Sequence, residues 1–290
     1  MKKKKELWML LAAALILLLV LTELHATACA TQLTVAHYEV PADITENIRI
    51  VQLTDLHSHE FGEGNRELVE LVAAQEPDLI LMTGDMLDKT DANADAACSL
   101  IEACKEIAPV YYGYGNHEYA WVQEHGEILA EELTRAGATV LNVEYCDLTV
   151  KDQQLRIGGY YGYYRQPGMF PLSEEERQAE IAFADTFENT QRYKILLSHI
   201  PTAWIDWEYI DKYPVDLVLT GHYHGGQIRL PFLGGLYAPY IGLFPEYTEG
   251  LYTGTMATAI LSTGLGSNPG VPRINNPAQL VVVDLLAEAT

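Results

Sequence analysis

Apolar positions in this chain follow two rhythms, and the switch between them outlines most of its elements. Residues 48–54 (Ile-Arg-Ile-Val-Gln-Leu-Thr) read as a strand, and Asp78 to Thr83 as a continuous apolar strand. Pro109 to Tyr114 is a β-branched and aromatic strand. Between these runs, residues 65–75 and the Ala-, Leu-, Ile- and Glu-rich stretch Ala92 to Ile107 read as helices. A third helix runs from Tyr119 to Ala136 and is closed by Gly137. Alternating β and α segments imply parallel strands with helical crossovers. Near-continuous apolar runs are what strands buried on both faces require.

The second half changes character. Thr139 to Glu144, Leu148 to Val150 and Leu155 to Tyr160 read as short strands joined by tight turns, followed by a helix from Ser173 to about Phe187. Tyr193 to Ser198 and Val215 to Thr220 are two more buried-type strands. Gln227 to Leu230, Gly250 to Gly254, Ala257 to Ser262 and Gln279 to Leu285 are short strands among Gly/Pro turns. The pattern predicts two packed sheets with helices outside, in one domain spanning 31–290. Pro231 to Gly254, rich in Gly, Pro, Tyr and Phe, reads either as a surface loop with packed aromatics or as a rim that contacts a lipid or sugar.

Residues 1–30 stand apart. Lys2 to Lys5 precede an uncharged apolar run, Leu7 to Leu21, which can borrow Thr22 to Ala30 for length. This reads as a membrane anchor or a signal segment. Ala26-Thr27-Ala28 and Ala28-Cys29-Ala30 are small-x-small sites, and Cys29 weakly resembles a lipoprotein acceptor. The lysines stay cytoplasmic on the positive-inside rule, so an anchored extracytoplasmic body is expected, with secretion after cleavage as the alternative.

Charge narrows the partners. The formal net charge is −22, and four of the 18 basic residues lie in the N-terminal tail. So acidic a body repels polyanions and excludes long nucleic acid as substrate. An anionic small molecule must be drawn in by metals or by a few arginines. Cys98, Cys104 and Cys146 read as free, chemically silent thiols. Nothing in the sequence fixes the oligomeric state.

The candidate chemistry sits where predicted strands end. Five clusters read Asp55-Leu56-His57, Gly84-Asp85-Met86-Leu87-Asp88, Gly115-Asn116-His117-Glu118, Ser198-His199-Ile200-Pro201 and Gly221-His222-Tyr223-His224-Gly225-Gly226. Ligands of open α/β sheets bind at the carboxyl ends of strands, so distant clusters can meet there. Asp, Asn and His supply oxygen and nitrogen donors to divalent metals, and seven such donors suit two ions better than one. His222 and His224 point apart on a flat strand, so Gly221 and Gly225-Gly226 are expected to bend the chain.

In this order the motifs resemble those of the calcineurin-like metallophosphoesterases, across roughly residues 48–284. The Gly-His-x-His-Gly-Gly-Gln ending and the apolar N-terminus are similar to the bacterial membrane-associated phosphodiesterase branch. The resemblance implies a four-layer αββα sandwich with two mixed sheets. It places Asp55, His57 and His224 on a first metal, Asn116, His199 and His222 on a second, and Asp85 across both. A metal-bridging hydroxide would attack phosphorus. His117 would protonate the leaving group, oriented by Asp88. Two divalent or trivalent ions (Mn, Fe or Zn) are implied as cofactors.

Arg273, which the resemblance places near the site, and Arg165 are candidate phosphate clamps or, equally, surface salt-bridge partners. Tyr223, between the two histidines, is expected to point away from the metals. His59 and His125 read as surface residues, and Glu118 as an acid that supports the site or the helix N-terminus. The expected substrate is a small phosphodiester or pyrophosphate-type compound of an envelope lipid or sugar. A phosphomonoesterase or protein phosphatase on the same fold, and a non-catalytic metal-binding envelope module, are the alternatives.

Overall fold

The computed structural model describes residues 2–165, 173–267 and 271–287, with side chains from residue 8 onward. Two six-stranded mixed sheets form the body. In the first, the strands run in the order Leu33–Ala42, Ala278–Ala287, Ile48–Leu53, Leu79–Thr83, Val110–Gly113, Ala138–Leu141. All neighbours are parallel except Ala278–Ala287 against Ile48–Leu53. The second sheet is ordered Gly250–Thr253, Thr258–Leu261, Leu217–Thr220, Tyr193–Leu197, Gln153–Gly159, Glu144–Val150. It is parallel inside and antiparallel at both edges.

Strand alternation assigns each side chain to a layer. Leu79 and Leu81 face the second sheet, joining Ile48, Ile50, Leu155, Ile157, Ile195, Leu197, Leu217 and Leu219 in a core between the sheets. Ile80 and Met82 face outward, onto helices Arg66–Ala73, Asp95–Cys104, Asn116–His125 and Leu129–Ala136. On the far side, Leu196 and Val218 pack beneath helix Glu174–Glu188 and an aromatic turn segment carrying Trp204 and Tyr209. Helix, sheet, sheet, helix is the expected four-layer order. A buried polar link joins strands of the two sheets: Gln52 Nε2 donates to the Thr220 carbonyl at 3.0 Å.

Two elements differ from the pattern-based expectation, and one expected tight turn takes a defined form. The single helix 119–136 is two, because Gly126 adopts φ 88° and ends the first after His125. The strand Leu33–Ala42 carries no clean alternation, since as an edge strand it has only one partner and a mostly half-exposed face. Lys151 and Asp152, φ 46° and 61°, close the hairpin between Glu144–Val150 and Gln153–Gly159.

Residues Lys2–Thr31 form one helix, whose stretch Trp8–Thr31 is 24 residues long and apolar enough to cross a membrane. At ~1.5 Å per residue such a stretch exceeds a hydrocarbon core of about 30 Å. Its leucines are exposed, but Ala26 and Cys29 are buried against the body, and His25 Nε2 lies 2.9 Å from Asn275 Oδ1.

Candidate metal centre

Strand ends and their following turns bring the five clusters together. The Asp55 carboxylate follows strand Ile48–Leu53, Asp85 follows Leu79–Thr83, and Asn116 and His117 open the helix after Val110–Gly113. His199 follows Tyr193–Leu197, and His222 and His224 follow Leu217–Thr220. Asp55, His57 and His224 converge in one buried group, and Asp85, His199 and His222 in another. In the first, His57 Nε2 is 3.2 Å from His224 Nε2, and His224 Nε2 is 3.4 Å from Asp55 Oδ1. In the second, His199 Nε2 is 3.1 Å from Asp85 Oδ2.

Asp85 joins the two groups through one oxygen. Its Oδ2 faces His199 of the second group and His57 of the first, the latter at 3.9 Å. Its Oδ1 instead accepts the His117 backbone amide at 2.8 Å, in the first turn of helix Asn116–His125.

Unusual backbone aims these side chains. Asp55, His57, Asp85, His222 and His224 all lie in the left-handed region, with φ of 54°, 48°, 52°, 68° and 47°. Asp and His tolerate that region better than most residues, yet each such site still costs on the order of 1 kcal/mol. Strain gathered on five of the seven expected donors argues that the surrounding fold is organised around them. The bend expected between His222 and His224 is therefore made by the histidines themselves as well as by Gly225 and Gly226, φ 62° and 78°. A Cβ on Gly221 would overlap the Asp55 carboxylate, and one on Gly115 would overlap that of Asp85.

The donor atoms fit cations. His222 Nε2, His57 Nδ1, His224 Nδ1 and Asn116 Oδ1 are buried without a hydrogen-bond partner among protein atoms. An orphaned buried polar atom costs about 1–3 kcal/mol, so so many in one place imply a missing partner that accepts lone pairs. His199 Nδ1 donates to the Thr83 carbonyl at 2.8 Å, so Nε2, which faces Asp85 Oδ2, is the atom a cation would take after displacing its proton.

Among protein atoms alone the groups make opposed demands. Burial lifts the Asp55 carboxyl to about 6. Burial depresses His57 to about 4 and His222 to about 3, and holds His224 well below its usual value. His199 goes the other way: burial opposes its charge, but the Asp85 and Asp55 carboxylates outweigh it and raise it to about 10. Asp85, buried but surrounded by His199, His57 and His117, is held well below the usual carboxylate range.

Around the centre, Glu118 is fully buried. Its Oε2 accepts the amides of Asp85 and Gly115, both at 2.8 Å, and its Oε1 accepts the Met86 amide and the Tyr112 hydroxyl. It thus supports both the Asp85 turn and the helix N-terminus. His117 Nδ1 accepts the Lys89 amide at 3.1 Å and lies 3.3 Å from Asp88 Oδ2. In that arrangement the Lys89 amide, rather than Asp88, puts the neutral ring's proton on Nε2, which faces Asp85 Oδ2 at 4.0 Å. A backbone donor of this kind carries no signature in the sequence. Tyr223 turns away from the centre, its hydroxyl bonded to Thr202 and Asp206.

Both candidate phosphate clamps have other occupations. Arg273 is buried and donates to the carbonyls of Asn276, Gly266, Thr263, Gly264 and Pro277. It shapes the loop whose Leu265 and Gly266 amides bond the backbone of Thr54 and Asp55. A guanidinium saturated by carbonyls is not free to grip a phosphate. Arg165 pairs with Asp185 at 2.8 Å and Glu188 at 2.9 Å, holding helix Glu174–Glu188. His59 is not a plain surface residue either: its ring packs edge-on against Phe61 and its Nε2 is buried. His125 stacks on Trp121 at the far end of its helix.

The sequence pattern of the calcineurin-like phosphoesterases matches residues 48–226, and the chain belongs to that family. It is therefore a metal-dependent hydrolase of phosphoesters. It is 28% identical to phosphodiesterase YaeI of Escherichia coli (strain K12) over 82% of this chain and 82% of that protein. An uncharacterized metallophosphoesterase of Aquifex aeolicus (strain VF5) is 30% identical over 82% of this chain and 85% of its own length. YkuE of Bacillus subtilis (strain 168), also an uncharacterized metallophosphoesterase, is 28% identical over 76% of this chain and 73% of its own.

Proposed function

We propose that the chain is a dinuclear phosphodiesterase acting on a diester or pyrophosphate-type bond in an envelope lipid or sugar phosphate. The observation that carries this reading is Asp85 Oδ2, one carboxylate oxygen set between His57 of one donor group and His199 of the other. Asp55, His57 and His224 would hold one cation, Asn116, His199 and His222 the other, and Asp85 would bridge them. Imidazole with carboxylate and amide oxygens suits Mn, Fe or Zn. When bound, two such cations acidify water and neutralise charge on phosphoryl oxygens.

The remaining work falls to protein groups. His117 would act as the imidazolium, giving its Nε2 proton to the leaving oxygen, and the neutral ring left behind accepts the Lys89 amide at Nδ1. Asp88 Oδ2, 3.3 Å from Nδ1, stabilises the ring when it gains a second proton. Helix Trp8–Thr31 would anchor the body on the extracytoplasmic face, with Lys2–Lys5 left in the cytoplasm. The phosphodiesterase name of the Escherichia coli relative is consistent with diester preference.

The test is to load the full chain with Mn²⁺ and compare an aryl diester with the monoester of the same phenol. Faster diester turnover is expected. Preference for the monoester moves the chain to the phosphomonoesterase class. No turnover of either, with metal bound, points to a non-catalytic metal-binding module.

A further inference from the structure

Residues 231–245 contain no charged side chain, in a protein of net charge −22. Apart from Tyr240, the large apolar side chains there are turned outward. Phe232 is fully exposed, Leu243 is 68% and Leu233 64% exposed, and Tyr237 and Phe244 are about half exposed. Exposed apolar clusters on an otherwise polar surface mark contact with a partner or a membrane.

Two connections place this surface. One leads to the apolar helix. The segment begins beyond Arg229, whose carbonyl accepts from Asn275 Nδ2 at 3.0 Å, and Asn275 in turn meets His25. His25 lies in the last turns of Trp8–Thr31, where a spanning helix leaves the hydrocarbon. The other connection leads to the metal centre. Tyr240 stacks on His222, ring centroids 5.5 Å apart, and the Leu236 amide bonds the Gly226 carbonyl at 3.2 Å. Helix exit, uncharged surface and metal centre are therefore joined through short chains of contacts.

We propose that residues 231–244 sit in the interface of the bilayer that the chain's own N-terminal helix enters, so that the site receives a phosphoester carried on a lipid. Tyr with Phe and Leu is the composition that settles at the headgroup boundary. Charge selects the same face: an acidic body is repelled from anionic lipid, and only an uncharged rim can approach closely. This rests on the anchor and phosphodiesterase reading above and narrows its substrate to a lipid-borne class.

The experiment uses the full chain reconstituted in phosphatidylcholine vesicles with brominated acyl chains. Trp8→Phe removes the tryptophan expected inside the membrane, and Phe232→Trp is added as the probe. Tryptophan emission that bromolipid quenches more strongly than in the Trp8→Phe parent is expected. Equal quenching in the two overturns the proposal whatever the enzyme's activity. A second variant, F232S/L233S/L243S, is assayed with Mn²⁺ on a soluble aryl diester and on a short phosphodiester displayed on a lipid in the vesicle.

At least a tenfold loss on the lipid-borne diester, with the soluble rate unchanged, is expected. Equal losses on both, or on neither, contradict the proposal. So does conversion of an oligomer to a monomer by the triple variant without bromolipid quenching, which assigns the surface to a second copy. Failure of both substrates in the wild-type chain, with Phe232→Trp still quenched, counts against the phosphodiesterase reading alone.

Discussion

The Glu118 carboxylate accepts the backbone amide of Asp85 at 2.8 Å, and the same oxygen accepts the amide of Gly115. One buried side chain thereby sets the distance between the Asp85 turn and the helix that carries Asn116 and His117. Burial and the nearby Asp85 charge raise the Glu118 carboxyl, and the Tyr112 hydroxyl and the Asp85 and Gly115 amides offset this only in part. Glu118→Ala leaves three amides and the Tyr112 hydroxyl unpaired in a dry interior. A loss of about 3 kcal/mol or more in unfolding free energy is expected by denaturant titration, together with reduced metal content. A variant of wild-type stability and full metal content would show that the turns hold their geometry unaided.

His117 and Asp88 separate by their hydrogen bonds. The Lys89 amide fixes the His117 tautomer, so Asp88 is needed for charge rather than for orientation. His117→Ala is expected to keep the metals and slow a poor-leaving-group diester by about 100-fold or more, with a smaller effect on an activated aryl diester. Asp88→Asn is expected to cost clearly less. Equal losses in the two variants would make Asp88 the group that fixes the ring after all.

Metal uptake should release a proton. His199, raised to about 10 by Asp85 and Asp55 against its burial, is protonated near neutrality, whereas His57 and His222 are not. Its folded-state charge stabilises the protein fully below the ordinary histidine value and is lost as pH rises through about 10. A cation on His199 Nε2 must displace that proton. Mn²⁺ affinity is therefore expected to rise ~10-fold per pH unit between about 7 and 9. Calorimetry in buffers of different ionisation enthalpy should count about one proton per chain. Affinity flat across that range would mean His199 is neutral before the metal arrives.

Gly221 tests the close packing beneath Asp55. A methyl there meets both the Asp55 carboxylate and the Thr54 hydroxyl. Gly221→Ala is expected to lose the cation of the Asp55 group selectively and to lower the melting temperature. Retention of both cations would show that Asp55 can move without loss of function.

The strands and the donor residues were legible because both follow local rules. Buried parallel strands such as Leu79–Thr83 read as apolar runs, and three of them lead into Gly84-Asp85, Gly115-Asn116 and Gly221-His222. What escaped depended on partners far away in sequence. The Leu33–Ala42 strand is defined by pairing with Ala278–Ala287, not by its own pattern. Arg273 reads from the sequence as a phosphate clamp or a surface ion-pair partner, yet its neighbours are carbonyls of its own and adjoining loops. The left-handed backbone at His222 and His224 belongs to residues that carry no steric signature of it. Lys89 acts through its amide, to which its side chain is irrelevant.

The central claim is that Asp85 is shared by two cations, and metal counting by mass spectrometry of the purified full chain tests it most directly. The wild type is expected to bind two transition-metal ions per chain, Asn116→Ala one, and Asp85→Ala neither. A wild-type chain that saturates at one ion, or an Asp85→Ala chain that keeps two, would contradict the account.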